Sequence, residues 1–345
     1  MTLLTARDVT TTLPTPAGRL RAVDGVSFTL APGEALGIVG ESGSGKSMLA
    51  RTLMGLAPPS AHTTGSVSFA GRDLLTAGPA ELREVLGSGI AMVFQDSATS
   101  LNPVTRIGRQ LTETLRLRRG LDRRRAREQA VDLLRRVGIP DPARRARSYP
   151  HELSGGMRQR ACIALAIACG PRVLLADEPT TALDVTVQRQ ILDLLAGLRR
   201  GAGMGLVLIT HDLALVAGRT ERLLVMYAGR VVETGPTRAV IRGPRHPYTA
   251  ALLASIPRLD RPGHSRLATI PGRPAAAVDP RPGCRFAPRC PRAQARCRRE
   301  DPDLGSAGPD PGSADPGGHR AVACFHPLDP LDSPPPGPDI PQESS

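Results

Sequence analysis

Lysine is almost missing from this 345-residue chain: of 45 basic residues, Lys46 is the single one that is not arginine. Tryptophan is absent and aromatics make up 2% of residues, so a core has to be assembled from Leu, Val, Ile and Ala. No stretch approaches the roughly 18 apolar residues of a membrane span. The best candidate, 161–170, reads as a buried helix. Residues 1–9 carry no basic stretch followed by an apolar run and a small-residue cleavage site, so no signal peptide is expected. The chain is expected to be cytosolic, with its six cysteines as thiols or metal ligands rather than disulfides.

Hydrophobic residues are 40% of the chain, enough for a substantial globular core. The formal net charge of +13 suits nucleic acid or an anionic membrane surface, and equally an arginine-rich composition that leaves basic surfaces everywhere. Where arginine fills every other cationic position, a lone lysine points to a site that needs a compact ammonium rather than a planar fork.

Residues 2–40 alternate apolar and polar, and Asp24-Gly25 between two apolar stretches predicts a hairpin turn. Further strands are expected at 35–39, 65–70, 90–94, 173–176, 206–209, 223–227 and 230–234. Helices are expected at 46–56, 107–118, 123–137, 155–169 and 185–199. The 123–137 segment places Ala130, Leu133, Leu134 and Val137 on one face and arginines on the other. Strands alternating with helices predict an α/β fold with a parallel sheet, opened by antiparallel strands and interrupted by a helical insert at 97–153. The boundaries expected are a main domain at 1–240, an extension at 241–327 and a disordered tail at 328–345, since Pro, Gly and Arg dominate after residue 256.

Gly40-Glu41-Ser42-Gly43-Ser44-Gly45-Lys46-Ser47 fits the phosphate-loop pattern and sits between an expected strand and helix. Its glycines let backbone N–H groups converge on phosphates at a helix N-terminus. Lys46 is placed to reach the β- and γ-phosphates of ATP, and the Ser47 hydroxyl to bind Mg2+. The apolar run 173–176 ends in Asp177 and Glu178. Asp177 is expected to hold Mg2+, and Glu178 to orient and polarise the attacking water. Ser154-Gly155-Gly156 opens a second anion-binding helix, one more than a single ATP site needs.

With these motifs in order, the sequence resembles the ABC ATPase family over about residues 3–255. The resemblance implies a P-loop ABC cassette in which the signature Ser154, Gly155 and Gly156 of one subunit closes over ATP held by the loop of another. It implies further roles: Gln95 senses Mg2+ and faces the permease, Asp184 crosses the dimer interface, and His211 contacts the γ-phosphate. Leu13 stands where the family places an adenine-stacking aromatic. Within the family, Tyr149-Pro150-His151-Glu152, the 180–186 segment, Ser100-Leu101-Asn102-Pro103 and His246-Pro247-Tyr248-Thr249 look like the oligopeptide/dipeptide importer branch. Nickel importers share much of this pattern. The partners implied are two permease subunits, a second related ATPase and, indirectly, an extracytoplasmic substrate-binding protein, with the chain peripheral on the cytoplasmic side of the membrane. The rival reading, a non-transport ABC ATPase acting on nucleic acid, suits the charge of +13, but no coiled coil, second cassette or nucleic-acid module accompanies it, so nucleic acid is not expected.

Cys162 and Cys169 fall on the signature helix and are expected in the core. Cys284, Cys290, Cys297 and Cys324 are spaced C-x5-C-x6-C-x26-C in a Cys/Pro-rich extension. Zinc, an iron–sulfur cluster and free thiols are all open for them. The close pair typical of zinc is absent, and four cysteines with Cys290-Pro291 favour iron–sulfur. The family resemblance also implies a 4Fe-4S cluster here.

Overall fold

The computed structural model describes residues 2–256, 269–275, 277–306 and 320–329. In chain order the N-terminal half runs β1 (Leu4–Thr15), β2 (Gly18–Leu30), β3 (Ala35–Val39), α1 (Lys46–Leu53), β4 (His62–Phe69), β5 (Arg72–Asp73), α2 (Pro79–Val85), β6 (Ile90–Val93) and α3 (Ser97–Ser100). Helices α4 (Ile107–Arg119), α5 (Arg123–Arg136), α6 (Pro142–Arg145) and α7 (Gly155–Ile167) follow. Then come β7 (Val173–Asp177), α8 (Val185–Ala202), β8 (Gly205–Thr210), α9 (Leu213–Val216), β9 (Arg222–Tyr227) and β10 (Arg230–Pro236). The chain closes with α10 (Thr237–Arg242), α11 (Pro247–Ala254), β11 (Gly305–Ser306) and β12 (Ala321–Val322). The described residues form two compact units, one comprising residues 2–4, 30–34 and 68–207, the other residues 5–29, 35–67 and those described from 208 on.

In the first unit, β6 and β7 pair in parallel from Ile90 opposite Val173 to Val93 opposite Ala176. Every residue of both strands is buried, as expected of apolar runs that face packed layers on two sides. Helices α4 and α5 form an antiparallel pair whose turn is set by residue chemistry. Gly120 ends α4 in the left-handed region, and the Asp122 carboxylate caps α5 by accepting from the Arg124 and Arg125 N–H groups. Ala126, Ala130, Leu133 and Leu134 face inward, so the expected amphipathic stripe holds. Helix α7 is buried along Ala161, Cys162, Ile163 and Ala164. No helix among the described residues is long and apolar enough to cross a membrane.

In the second unit, β3 lies parallel to β9, and β9 antiparallel to β10. The predicted turn at Asp24-Gly25 is not there: β2 runs straight through it, and the hairpin closes instead between Thr15 and Gly18. Gly25 takes a left-handed φ of 67° inside the strand. The Asp24 N–H donates to Gly229 O and the Gly25 N–H to Thr10 Oγ1. A D-G pair suits a left-handed position inside a strand as well as a turn, because glycine adopts that conformation without strain.

The described C-terminal segments do not stand alone. Strand β12 pairs with β10, Glu233 opposite Val322, and β11 pairs with β12. Near residue 278 the chain runs along β2, with a bridge between Leu20 and Val278. Tyr227, Tyr248 and Phe286 form an aromatic cluster with ring centroids 4.7 to 5.3 Å apart, and each ring is fully buried. Three buried or half-buried ion pairs, Arg285–Asp24, Arg289–Glu41 and Arg320–Glu233, complete the attachment. Residues 330–345, most of the tail expected to be disordered, lie outside the described residues.

Candidate functional site

Strand β3, buried throughout, delivers the chain to the glycine-rich loop, and α1 begins at Lys46. Gly45 is the N-cap of α1 with φ 101°, and a Cβ there would run into the Ala22 carbonyl oxygen. The turn brings the Lys46 ammonium back over the loop, where Nζ donates to Gly40 O at 2.7 Å and Glu41 O at 2.9 Å. Ser44 Oγ lies 3.5 Å from the same nitrogen, and Ser44 and Lys46 are both buried while Ser42 and Gly43 are exposed. The arrangement concentrates one fixed positive charge and a run of backbone N–H groups at a helix start, a receptor for phosphate oxygens.

In the other unit, β7 carries buried Asp177 to its end, and Glu178 follows at φ 45°. A left-handed glutamate is costly, and such strain concentrates at functional positions. Its carboxylate is held from two sides: Oε2 accepts from Gln95 Nε2 at 2.9 Å and from Thr181 Oγ1 at 3.0 Å. Gln95 and Glu178 are 83 positions apart, yet their side chains meet. Parallel pairing of β6 with β7 brings both strand ends to one edge.

The signature residues sit where the sequence places them, at the start of α7. Ser154 is the N-cap, and its Oγ accepts from the Met157 N–H at 3.3 Å. A Cβ on Gly156 would meet Val187 Cγ1 at 2.8 Å, so the first turn of α7 abuts the first turn of α8. Asp184 caps α8, accepting from the Val187 N–H at 3.0 Å, and both Ser154 and Asp184 are exposed. His211 is exposed just after β8. Cys162 is buried in α7, and burial pushes its thiol to about 12, in keeping with a packing role.

The 4Fe-4S cluster expected on Cys284, Cys290, Cys297 and Cys324 is not supported. Among the described residues no group of three or more His, Cys, Asp or Glu side chains is arranged to hold a metal ion. The four cysteines are free and line one cavity of about 20 Å3 with Phe286 and His326. That is room for about one water. Burial raises the thiols of Cys284 and Cys290, and that of Cys324 to about 11. The constraint sought in a metal comes from sheet pairing, the aromatic cluster and the ion pairs described above.

Two functional-site neighbours escaped the sequence reading. Tyr248 Oη accepts from the Glu41 N–H, and Arg289 forms a bidentate pair with the Glu41 carboxylate. Tyr248 was visible only as part of a branch pattern, and Arg289 is one arginine among many.

The sequence profile of the ABC transporter family matches residues 23–181, and that of the oligopeptide/dipeptide transporter C-terminal region matches residues 232–297. The bacterial ABC transporter cassette MJ0796, solved as a dimer, superposes with a TM-score of 0.62 at 29% identity, covering 68% of this chain and 99% of that one. The dipeptide transport ATP-binding protein DppD of Escherichia coli is 48% identical over 310 residues, covering 90% of this chain and 92% of DppD. The oligopeptide transport ATP-binding protein OppD of Salmonella typhimurium is 47% identical over 329 residues, covering 95% of each. The chain belongs to the ABC transporter family, as an ATP-hydrolysing subunit of its oligopeptide/dipeptide importer branch.

Proposed function

We propose that this chain binds MgATP at Gly40–Ser47 and hydrolyses it to drive import of oligopeptides or dipeptides through two permease subunits. A second, related ATPase pairs with it, and an extracytoplasmic binding protein delivers the peptide. The chain itself sits peripherally on the cytoplasmic side of the membrane. Its ATPase domain spans about residues 1–240 with a helical insert at 97–153, followed by a Cys/Pro-rich extension to about 327 and a tail to 345. The relatives DppD and OppD are named for dipeptide and oligopeptide transport, which favours peptide over nickel as cargo.

In this reading the N–H groups of Ser42, Gly43, Ser44 and Gly45 receive phosphate oxygens, and Lys46 neutralises the charge that grows on the β- and γ-phosphates. Ser47, Gln95 and Asp177 offer the hard oxygen donors that would hold Mg2+, which would offset phosphate charge when bound. Glu178 polarises the attacking water, His211 contacts the γ-phosphate, and Leu13 gives adenine an apolar contact in place of an aromatic stack. Ser154, Gly155, Gly156 and Asp184 act on the partner cassette. The observation that carries the reading is the Gln95–Glu178 hydrogen bond at 2.9 Å, which holds a carboxylate at the end of β7 by a residue 83 positions earlier. A purely structural acid at a strand end has no need of such a partner.

The test is peptide uptake into vesicles that hold the permeases, both ATPases and the binding protein. Lys46→Ala should bind ATP poorly and cut uptake by on the order of a hundredfold, the scale of a lost phosphate contact. Uptake at the wild-type rate would reject the assignment.

A further inference from the structure

The Gly40–Glu41 peptide lies at the head of the phosphate loop, and both of its polar ends are held. Its carbonyl, Gly40 O, accepts from Lys46 Nζ at 2.7 Å. Its N–H, on Glu41, donates to Tyr248 Oη at 2.8 Å. Glu41 is engaged twice more. Its own carbonyl accepts from Lys46 Nζ at 2.9 Å, and its carboxylate takes Arg289 Nη1 at 2.6 Å and Nη2 at 3.0 Å in a bidentate pair. One loop residue thus joins the lone lysine to two side chains more than 200 positions downstream.

Those two side chains are themselves fixed. Arg289 is 4% exposed, and its remaining N–H groups go to Pro271 O at 2.8 Å, Tyr227 Oη at 3.3 Å and Ile270 O at 3.3 Å. All five guanidinium donors are therefore in use. Tyr248 is fully buried, in edge contact with Tyr227 and tilted against Phe286. A guanidinium and a phenol this constrained act as a rigid backstop rather than as adaptable surface groups. The pairing also has an electrostatic consequence, because a carboxylate in the phosphate loop opposes a polyanionic ligand unless a cation offsets it.

We propose that Arg289 and Tyr248 are positioning residues for nucleotide binding, which set the phosphate loop and neutralise its carboxylate through Glu41. The C-terminal segments then tune ATP affinity directly, and anything that displaces them loosens the nucleotide. The proposal rests on the reading that this loop binds ATP.

The experiment is titration of the full-length chain with MgATP, with thermal unfolding measured in parallel. Lys46→Ala tests the underlying reading separately: if it binds MgATP as wild type does, the loop assignment fails whatever the other variants show. Arg289→Ala should raise Kd about tenfold or more, the scale of a lost hydrogen-bonded charge pair. Adding Glu41→Gln should restore most of that affinity, because the carboxylate left without its cation is then gone. Tyr248→Phe, which deletes one hydroxyl, should raise Kd by a smaller factor. Arg285→Ala removes the tail's contact with Asp24, so it should lower Tm without moving MgATP affinity. An Arg289→Ala Kd within about twofold of wild type overturns the proposal, as does an equal loss in Arg285→Ala, since either result makes Arg289 a tail anchor only. If Arg289→Ala does not fold, Tyr248→Phe decides, and an unchanged Kd in that variant overturns the proposal.

Discussion

His246 caps α11 through its ring: Nδ1 accepts from the Tyr248 N–H at 3.0 Å, and the side chain is 1% exposed. Burial lowers its pKa from 6.5 to about 3, against a smaller opposing hydrogen bond to the Ala323 backbone. The unfolded ring takes up a proton below pH 6.5, and the folded ring not until about pH 3. Acid therefore favours the unfolded chain, and stability falls as pH drops through that window, by up to about 1.4 kcal/mol per pH unit. Asp24 behaves differently. Burial raises its pKa, but Arg285 and then Arg230 outweigh that and hold it below its ordinary 3.8, so its contribution is lost only at lower pH. Urea unfolding at about pH 7.5 and about pH 5.5 separates the two. His246→Asn, which keeps an N-cap acceptor without the titrating ring, should flatten the difference. An unchanged slope in that variant would show that the buried histidine is not its source.

Helices α7 and α8 begin beside one another, each capped by a side chain that also faces solvent: Ser154 on α7 and Asp184 on α8. Contact between Gly156 and Val187 makes the two starts one unit, which suits a surface that meets a partner cassette as a whole. Ser154→Arg should cost about 1 kcal/mol of capping and leave MgATP binding at Lys46 intact, while the paired cassettes lose hydrolysis. If the variant instead failed to bind nucleotide at its own loop, the two-chain arrangement would be wrong. The elements most legible in the sequence were those with a continuous apolar run or a helical stripe. The strands β3, β6, β7 and β8, and the helices α4, α5, α7 and α8, fall within a few residues of expectation. Less legible were elements whose cause lies far away in the chain. Strands β11 and β12 are two residues each and exist only because β10 offers an edge, so no local period announces them. The Asp24-Gly25 pair does not show in the sequence whether its left-handed glycine turns the chain or sits inside a continuous strand, because its cross-strand neighbours decide. The pairing of Arg289 with Glu41 spans 248 positions, and in a chain with 44 arginines nothing in the local sequence marks which one reaches the loop. The metal expected at the four cysteines failed for a related reason. Counting ligands weighs the thiols and leaves out the sheet edge and arginine pairs that already order the segment.

At the scale of the whole molecule, the chain has a glycine-rich loop closed over by Lys46, a carboxylate held by Gln95 and no helix among its described residues long and apolar enough to cross a membrane. In the proposed reading the permease subunits carry the peptide, and the ATP cycle is where this subunit acts on them. The central claim is that Glu178 drives hydrolysis while Lys46 secures the nucleotide, two separable steps. Glu178→Gln keeps the size of the side chain and removes its charge, so binding should survive while the attacking water loses its base. The deciding measurement is the fate of bound nucleotide in the assembled transporter carrying Glu178→Gln. The account predicts that it retains intact ATP, with hydrolysis slowed by on the order of a hundredfold or more and peptide uptake stopped. Recovery of ADP at the wild-type rate, with uptake unimpaired, would contradict it.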